Sequence, residues 1–95
     1  MGLSFEWDDN KAHENLKRYG VSFEESSTIF GDPLSLTIDD PLHSIEEDRF
    51  VTIGLSHLGR IVVVVHAESG DNIRIITARL ATPRERRAYG KGTRK

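Results

Sequence analysis

Arg49, Arg60, Arg74 and Arg79 recur through a stretch that reads RFVTIGLSHLGRIVVVVHAESGDNIRIITARLATPRERRAYG, with His66 closing a four-valine run. A guanidinium keeps its charge at any physiological pH and presents a planar fork of donors that grips a phosphate by two bonds at once. Four of them in one segment point to a polyanion, and His66 is the neighbouring group able to exchange a proton near neutral pH. A histidine in that place equally suits a hydrogen-bonded position at the edge of a core. Glu85, Arg86 and Tyr89 follow directly after the arginine-bearing segment, and Lys17 and Arg18 lie far upstream.

The elements that must position these groups are legible. Arg49–Leu55, Arg60–His66 and Ile73–Thr77 are rich in β-branched and aromatic residues, and turn residues separate them at hairpin spacing, which predicts three consecutive antiparallel strands. The continuous run Val62–Val65 predicts a central strand buried on both faces. In a regular strand Arg74 and Arg79 fall on opposite faces, because their separation is odd. A Gly70-Asp71 loop pairs residue 66 with 75 and 62 with 79, so that Arg60, His66, Thr77 and Arg79 project from one face. Thr52 and Gly54 join them if the first hairpin has a three-residue loop, and a slip of one residue substitutes Arg49 and Val51. Both registers remain open. Thr82-Pro83-Arg84-Glu85 predicts a helix start with Thr82 as N-cap, Pro83 at the first position and Glu85 closing a capping box, continuing to Gly90.

Upstream, Ser4-Phe5-Glu6-Trp7 reads as a short added strand. Asp8 caps a helix that Gly20 stops. Ala12, Leu16 and Tyr19 make a thin apolar stripe on it, suited to lying on a sheet. Ser22 and Glu25 fit a second capping box, with Phe23, Ser26, Ser27 and Phe30 sharing a face before Gly31-Asp32-Pro33 ends the helix. Leu34–Ile38 alternates as a half-buried strand. The predicted class is α+β: two N-terminal helices on an antiparallel sheet of four or more strands, plus a short C-terminal helix. At 95 residues the chain is expected to be one domain over 1–95, with 90–95 a frayed tail.

Composition narrows the chemistry. There is no cysteine, which excludes disulfides and cysteine-based zinc sites. No apolar run approaches a membrane span and no signal pattern opens the chain, so a cytoplasmic protein without membrane association is expected. Residues 1–48 hold 12 Asp/Glu against 3 Lys/Arg, a balance of −9; residues 49–95 hold 3 against 10, a balance of +7. Such bipolarity suits a basic surface for a polyanion, although both sets also read as solvated faces. The acidic segment Asp39, Asp40, His43, Glu46, Glu47 and Asp48 contains hard-cation ligands, but in no spacing that a known metal loop uses. Neither a metal nor another cofactor is expected.

Phe5-Glu6-Trp7-Asp8, Lys11 with Asn15-Leu16-Lys17, and Gly20-Val21-Ser22-Phe23 resemble the opening signature of the BrnT toxins. The later segments Asp48-Arg49-Phe50, Ile53-Gly54-Leu55-Ser56, Val64-Val65-His66, Ile73–Arg79, Ala81-Thr82, Glu85-Arg86 and Tyr89 follow in the same order. The resemblance covers residues 4–89 and implies a RelE-like fold. It also implies a type II toxin: a ribonuclease that blocks translation and is neutralised by a DNA-binding antitoxin, BrnA, which alone contacts operator DNA. One departure is Arg18-Tyr19-Gly20, where the family often has Lys-His-Gly; Tyr19 then replaces that histidine or the burden shifts to His66.

Metal-free RNA cleavage requires a deprotonated 2′-OH, a protonated leaving 5′-oxygen and stabilisation of the charge that builds on the phosphate. The arginines meet the third need, and His66, Glu85 or Tyr89 are candidates for the first two. Arg49, His66, Arg74 and Arg79 are the candidate catalytic set, with Lys17, Arg60, Glu85, Arg86 and Tyr89 holding substrate. The alternative is a non-catalytic module whose basic half docks an antitoxin or nucleic acid.

Overall fold

The computed structural model describes residues 2–40 and 49–92. In chain order these form β1 (Ser4–Glu6), α1 (Asp9–Tyr19), α2 (Phe23–Ser27), a 3-10 turn (Thr28–Gly31), β2 (Leu36–Asp39), β3 (Arg49–Leu55), β4 (Ile61–Ser69), β5 (Asn72–Leu80) and α3 (Pro83–Gly92). One sheet carries all five strands in the order β1-β5-β4-β3-β2. β1 joins the β5 edge in parallel, and the other neighbours pair antiparallel. The valine-rich β4 lies in the middle, as its composition predicts.

Local chemistry sets the helix boundaries. Asp8 accepts from the Asn10 and Lys11 amides at 2.8 and 3.2 Å. At the other end Gly20 turns left-handed, φ 72°, and returns its N–H to the Leu16 carbonyl. Ser22 caps α2 by accepting from the Glu25 amide at 2.9 Å. Glu25 does not complete the box, because its carboxylate turns inward to Arg60 and Ser56.

α1, α2 and the 3-10 turn cover one face of the sheet. Val21, Phe23 and Ile29 pack there on Val62, Val64, Ile73, Ile75 and Ala78, and burying a ring such as Phe23 stabilises by about 1.5–3 kcal/mol. The 3-10 turn comes so close to β3 that a Cβ on Gly54 would sit 2.9 Å from the Ile29 Cβ and 3.2 Å from the Ile29 carbonyl oxygen. Of the predicted apolar stripe of α1 only Ala12 packs against the core. Leu16 and Tyr19 are 49% and 44% exposed, whereas Asn15 is buried. The reason is the β5 edge, which β1 leaves unpaired beyond Arg74. The Asn15 amide fills it, accepting from the Ala78 N–H at 3.1 Å and donating to the Ala78 and Val21 carbonyls at 2.9 Å each.

The first hairpin takes the three-residue loop His57-Leu58-Gly59, closed by Ser56 N–H to the Arg60 carbonyl. Thr52 and Gly54 therefore share the face of Val64 and Val62. In the second hairpin Ser69 pairs with Asn72 and His66 with Ile75, but a bulge between Val65 and His66 moves the pairing on, so that Val65 meets Thr77 and Val63 meets Arg79. Ile76 is the extra residue. A bulge inserts one position into the alternation, and this corrects two expectations at once. Arg79 and Thr77 do not share a face with His66 and Arg60; they share one with Arg74.

Candidate nucleic-acid interface

Strand register sorts the candidate residues into two groups. On the helix-covered face lie Arg60 and His66. On the face opposite α1 and α2 are Arg49, Arg74, Thr77 and Arg79. Arg49 and Arg74 flank Ala67 in one transverse row, Thr77 and Val51 flank Val65 in the next, and Arg79 and Ile53 flank Val63 in the third. Three guanidinium-bearing residues thus edge a sheet surface whose middle is small or apolar.

His66 is fully buried between Phe30, edge-on at 4.8 Å, and Phe50, stacked at 5.9 Å. Its Nε2 bonds the Thr52 hydroxyl at 2.7 Å, which bonds Thr37 at 2.8 Å. Its Nδ1 lies 3.4 Å from a Glu68 carboxylate oxygen without the alignment of a hydrogen bond. Burial pushes the imidazole down to about 4, so it is neutral at pH 7. Arg60 is likewise committed. Its Nε meets Glu25 Oε2 at 2.9 Å, and its Nη2 donates to Glu25 Oε1 and, at 3.0 Å, to the Gly20 carbonyl. Glu25 is held below the usual carboxylate range chiefly by this arginine, against the opposing effect of burial. The pair ties the hairpin loop to the ends of both N-terminal helices.

On the other side, Arg79 forms a two-bond fork with Glu85 at 2.7 and 2.8 Å, both partners being partly exposed. Glu85 also completes the predicted capping box, accepting from the Thr82 N–H at 2.9 Å while Thr82 Oγ1 accepts from its amide at 3.2 Å. Arg79 above all, with the Thr82 bonds adding and burial opposing, holds the Glu85 carboxylate down to about 2. Arg86 donates to the Ala81 carbonyl at 3.0 Å. Tyr89 donates its hydroxyl to Asp32 at 2.6 Å, and burial together with that bond pushes it up to about 12. Asp32 also takes the Leu34 and Leu55 amides, so α3 runs from Arg79 to a fixed anchor beside β3.

Lys17 belongs to a third place. A groove of about 510 Å³ opens between α1 and the β5 edge, walled on the helix side by Lys11, Glu14, Asn15, Lys17, Arg18 and Tyr19 and on the strand side by Ile76 and Thr77. The Arg18 guanidinium stands 5.9 Å from the Tyr19 ring centroid. Tyr19 is also close enough to add to the charge effects that, with Glu85 foremost, raise Arg79 further above its already high range. Apart from Lys17, spacing did not single this groove out. The signal was present in the consecutive Ile75-Ile76, which breaks the in–out alternation of β5 and marks the bulge. Among the described residues no three His, Asp or Glu side chains are grouped to hold a metal ion; residues 41–48 of the acidic segment lie outside them. No helix of the described residues is long and apolar enough to cross a membrane.

The family described as ribonuclease toxin, BrnT, of type II toxin-antitoxin system matches residues 7–85, most of the chain. The chain belongs to the BrnT family. The crystal structure of the Brucella abortus ribonuclease toxin BrnT superposes with a TM-score of 0.66 at 19% identity, over 84% of this chain and 97% of that one. That likeness shows the fold, a sheet with helices on it. No curated protein matches the chain in sequence. As a BrnT member the chain is a ribonuclease toxin of a type II toxin-antitoxin system.

Proposed function

We propose that the chain is a metal-independent endoribonuclease whose sheet face opposite α1 and α2 holds the scissile phosphate, with attack by the neighbouring 2′-OH. The observation that carries this reading is the convergence of Arg49, Arg74 and Arg79 on one face, which the bulge at Ile76 produces. Preorganised guanidiniums stabilise charge that builds on a phosphate in transition without the help of a cation. Arg79 is the one flanked by fixed elements, β5 on one side and the Thr82-capped helix on the other. His66, buried beneath the helices, supports this face from behind by holding β3 and β4 through Thr52. Arg86 and Tyr89 set the position of α3 at its margin.

In the cell such an activity inhibits translation. A BrnA-like antitoxin neutralises it by covering the same basic face, and only the antitoxin contacts operator DNA. Covering arginines is favourable when carboxylates or backbone carbonyls meet them. The test is cleavage of a labelled RNA by purified protein with and without EDTA. Full activity in chelator supports the reading; activity lost in EDTA and restored by a divalent cation overturns the metal independence.

One observation favours the second reading, a non-catalytic module that docks RNA or an antitoxin. Glu85 near 2, Tyr89 near 12 and a buried His66 near 4 all lie far from the neutral range in which a general acid or base works best. Protein that binds the labelled RNA and leaves it intact would establish that module.

A further inference from the structure

We infer that the groove between α1 and β5 is a subsite for one unpaired base of single-stranded RNA, with Tyr19 as its stacking platform. The inference rests on the ribonuclease reading above and extends it from the phosphate to the base beside it. Four observations combine. The groove's roughly 510 Å³ is bounded by one helix and one strand edge, which admits a single nucleotide and not a duplex. Tyr19 is 44% exposed at its wall, and the Arg18 guanidinium lies over its ring, 5.9 Å from the centroid, so that a base and a cation can sandwich the ring. Aromatic rings interleaved with basic residues are the arrangement by which proteins hold single strands.

The third observation is charge placement. Lys11, Lys17 and Arg18 line the groove together with Glu14. A carboxylate inside the groove repels a phosphate and accepts from a base N–H, so Glu14 reserves the interior for a base and leaves the flanking phosphates to the three cations. The fourth is continuity. Thr77 belongs both to the groove wall and to the sheet face of Arg79, two residues along the same strand. A strand whose phosphate lies at Arg79 therefore has a neighbouring base within reach of Tyr19. The floor is rigid, since the Asn15 amide is already satisfied by Val21 and Ala78. The bulged Ile76 offers the apolar wall opposite.

The test is a coupling measurement between ring and base. The probe is a short fluorescent single-stranded RNA with 2′-O-methyl riboses, which blocks 2′-OH attack, made intact and with an abasic site at each position in turn. Affinities are read by anisotropy at two salt concentrations for wild type, Tyr19→Ala, Tyr19→Phe and Lys17→Ala, each checked for folding by circular dichroism. Tyr19→Ala should weaken binding about tenfold, within the range for losing one base stack, at unchanged salt dependence. Tyr19→Phe keeps the ring and should bind within about twofold of wild type on the same stacking argument. Lys17→Ala should lower the salt slope by about 0.7, one single-strand phosphate contact. At one position, removing the base should cost wild type about the same tenfold and cost Tyr19→Ala nothing further. If every abasic position costs both proteins equally, the groove proposal is overturned while the ribonuclease reading stands. If the coupling is present but intact RNA is not cut, the ribonuclease reading fails and the subsite remains. Failure of wild type to bind the probe overturns both.

Discussion

Glu85→Gln separates what Arg79 does for the fold from what it does for RNA. Glutamine keeps the size of the side chain and an oxygen for the Thr82 N–H, so the capping box survives, but the charge opposite Arg79 disappears. Glu85 is depressed from 4.5 to about 2, a difference of about 2.5 units. At 1.36 kcal/mol per unit this sets a ceiling near 3.4 kcal/mol. Two facts lower it. The Arg79 and Glu85 side chains are 43% and 29% exposed, so water screens the pair, and part of the depression comes from Thr82. The expected loss at pH 7 is about 1 kcal/mol, or roughly 4–8 °C in Tm for a domain of this size. The sign follows from a lowered carboxylate: this stability is complete above about pH 4.5 and disappears as pH falls toward 2.

The consequence for RNA runs the other way. In the folded chain a phosphate that binds Arg79 must displace the Glu85 carboxylate from the fork. Removing that competitor should tighten RNA binding by up to the same 1 kcal/mol, about fivefold. Arg79→Lys, which keeps charge and loses the fork, should instead slow cleavage about 10²-fold, the scale for losing one transition-state donor. The assays are thermal melts, anisotropy with an uncleavable RNA, and single-turnover cleavage. Were Glu85→Gln to weaken RNA binding, or Arg79→Lys to melt lower yet cleave at the wild-type rate, Arg79 would be a structural ion pair and nothing more.

Three other perturbations test other parts of the molecule. His66 falls from 6.5 to about 4 on folding, so stability is complete above pH 6.5 and should decline by up to about 3 kcal/mol between pH 6.5 and 4; urea midpoints should follow that slope, His66→Gln should flatten it, and an equal slope in the variant would assign it elsewhere. Asn15→Leu buries the Ala78 N–H and carbonyl and the Val21 carbonyl without partners, at about 1–3 kcal/mol for each group left unpaired; a melting temperature within 5 °C of wild type would show that water replaces the amide. A saturating antitoxin should abolish both cleavage and binding of the uncleavable RNA, and unchanged RNA affinity in the complex would place the antitoxin on another face.

Much of this architecture is written in short-range chemistry. Asp8 and Gly20 bound α1, Thr82 and Glu85 start α3, and the Gly70-Asp71 loop sets the last hairpin, because each depends on residues a few positions apart. The features that escaped depend on partners far along the chain. Asn15 resembles any helix-surface polar residue until the unpaired edge of β5, 63 residues on, is placed beside it. Arg60 resembles its fellow strand arginines until Glu25, 35 residues away, takes its fork. The β5 bulge has the largest consequence, since one inserted residue reverses the facing of everything after it.

That bulge also explains how one strand serves both sides of the sheet. β5 needs Ile73, Ile75 and Ala78 in the core, and Leu80 follows on that side, a spacing of 2, 3 and 2 that no regular strand satisfies. Ile76 absorbs the odd step, and the residues left over, Arg74, Thr77 and Arg79, gather on the opposite face. Had the strand been regular, Arg79 would have pointed toward α1 and α2 beside Val62, where an unpaired guanidinium is costly to bury. Core packing and arginine convergence are therefore one structural event. On the helix side, where His66 is buried and Arg60 stays partly exposed, each meets its own buried partner, Thr52 for the histidine and Glu25 for the arginine. The two groups that looked interchangeable in sequence are thus separated by the sheet: one braces the fold beneath α1 and α2, and the other lies on the opposite face.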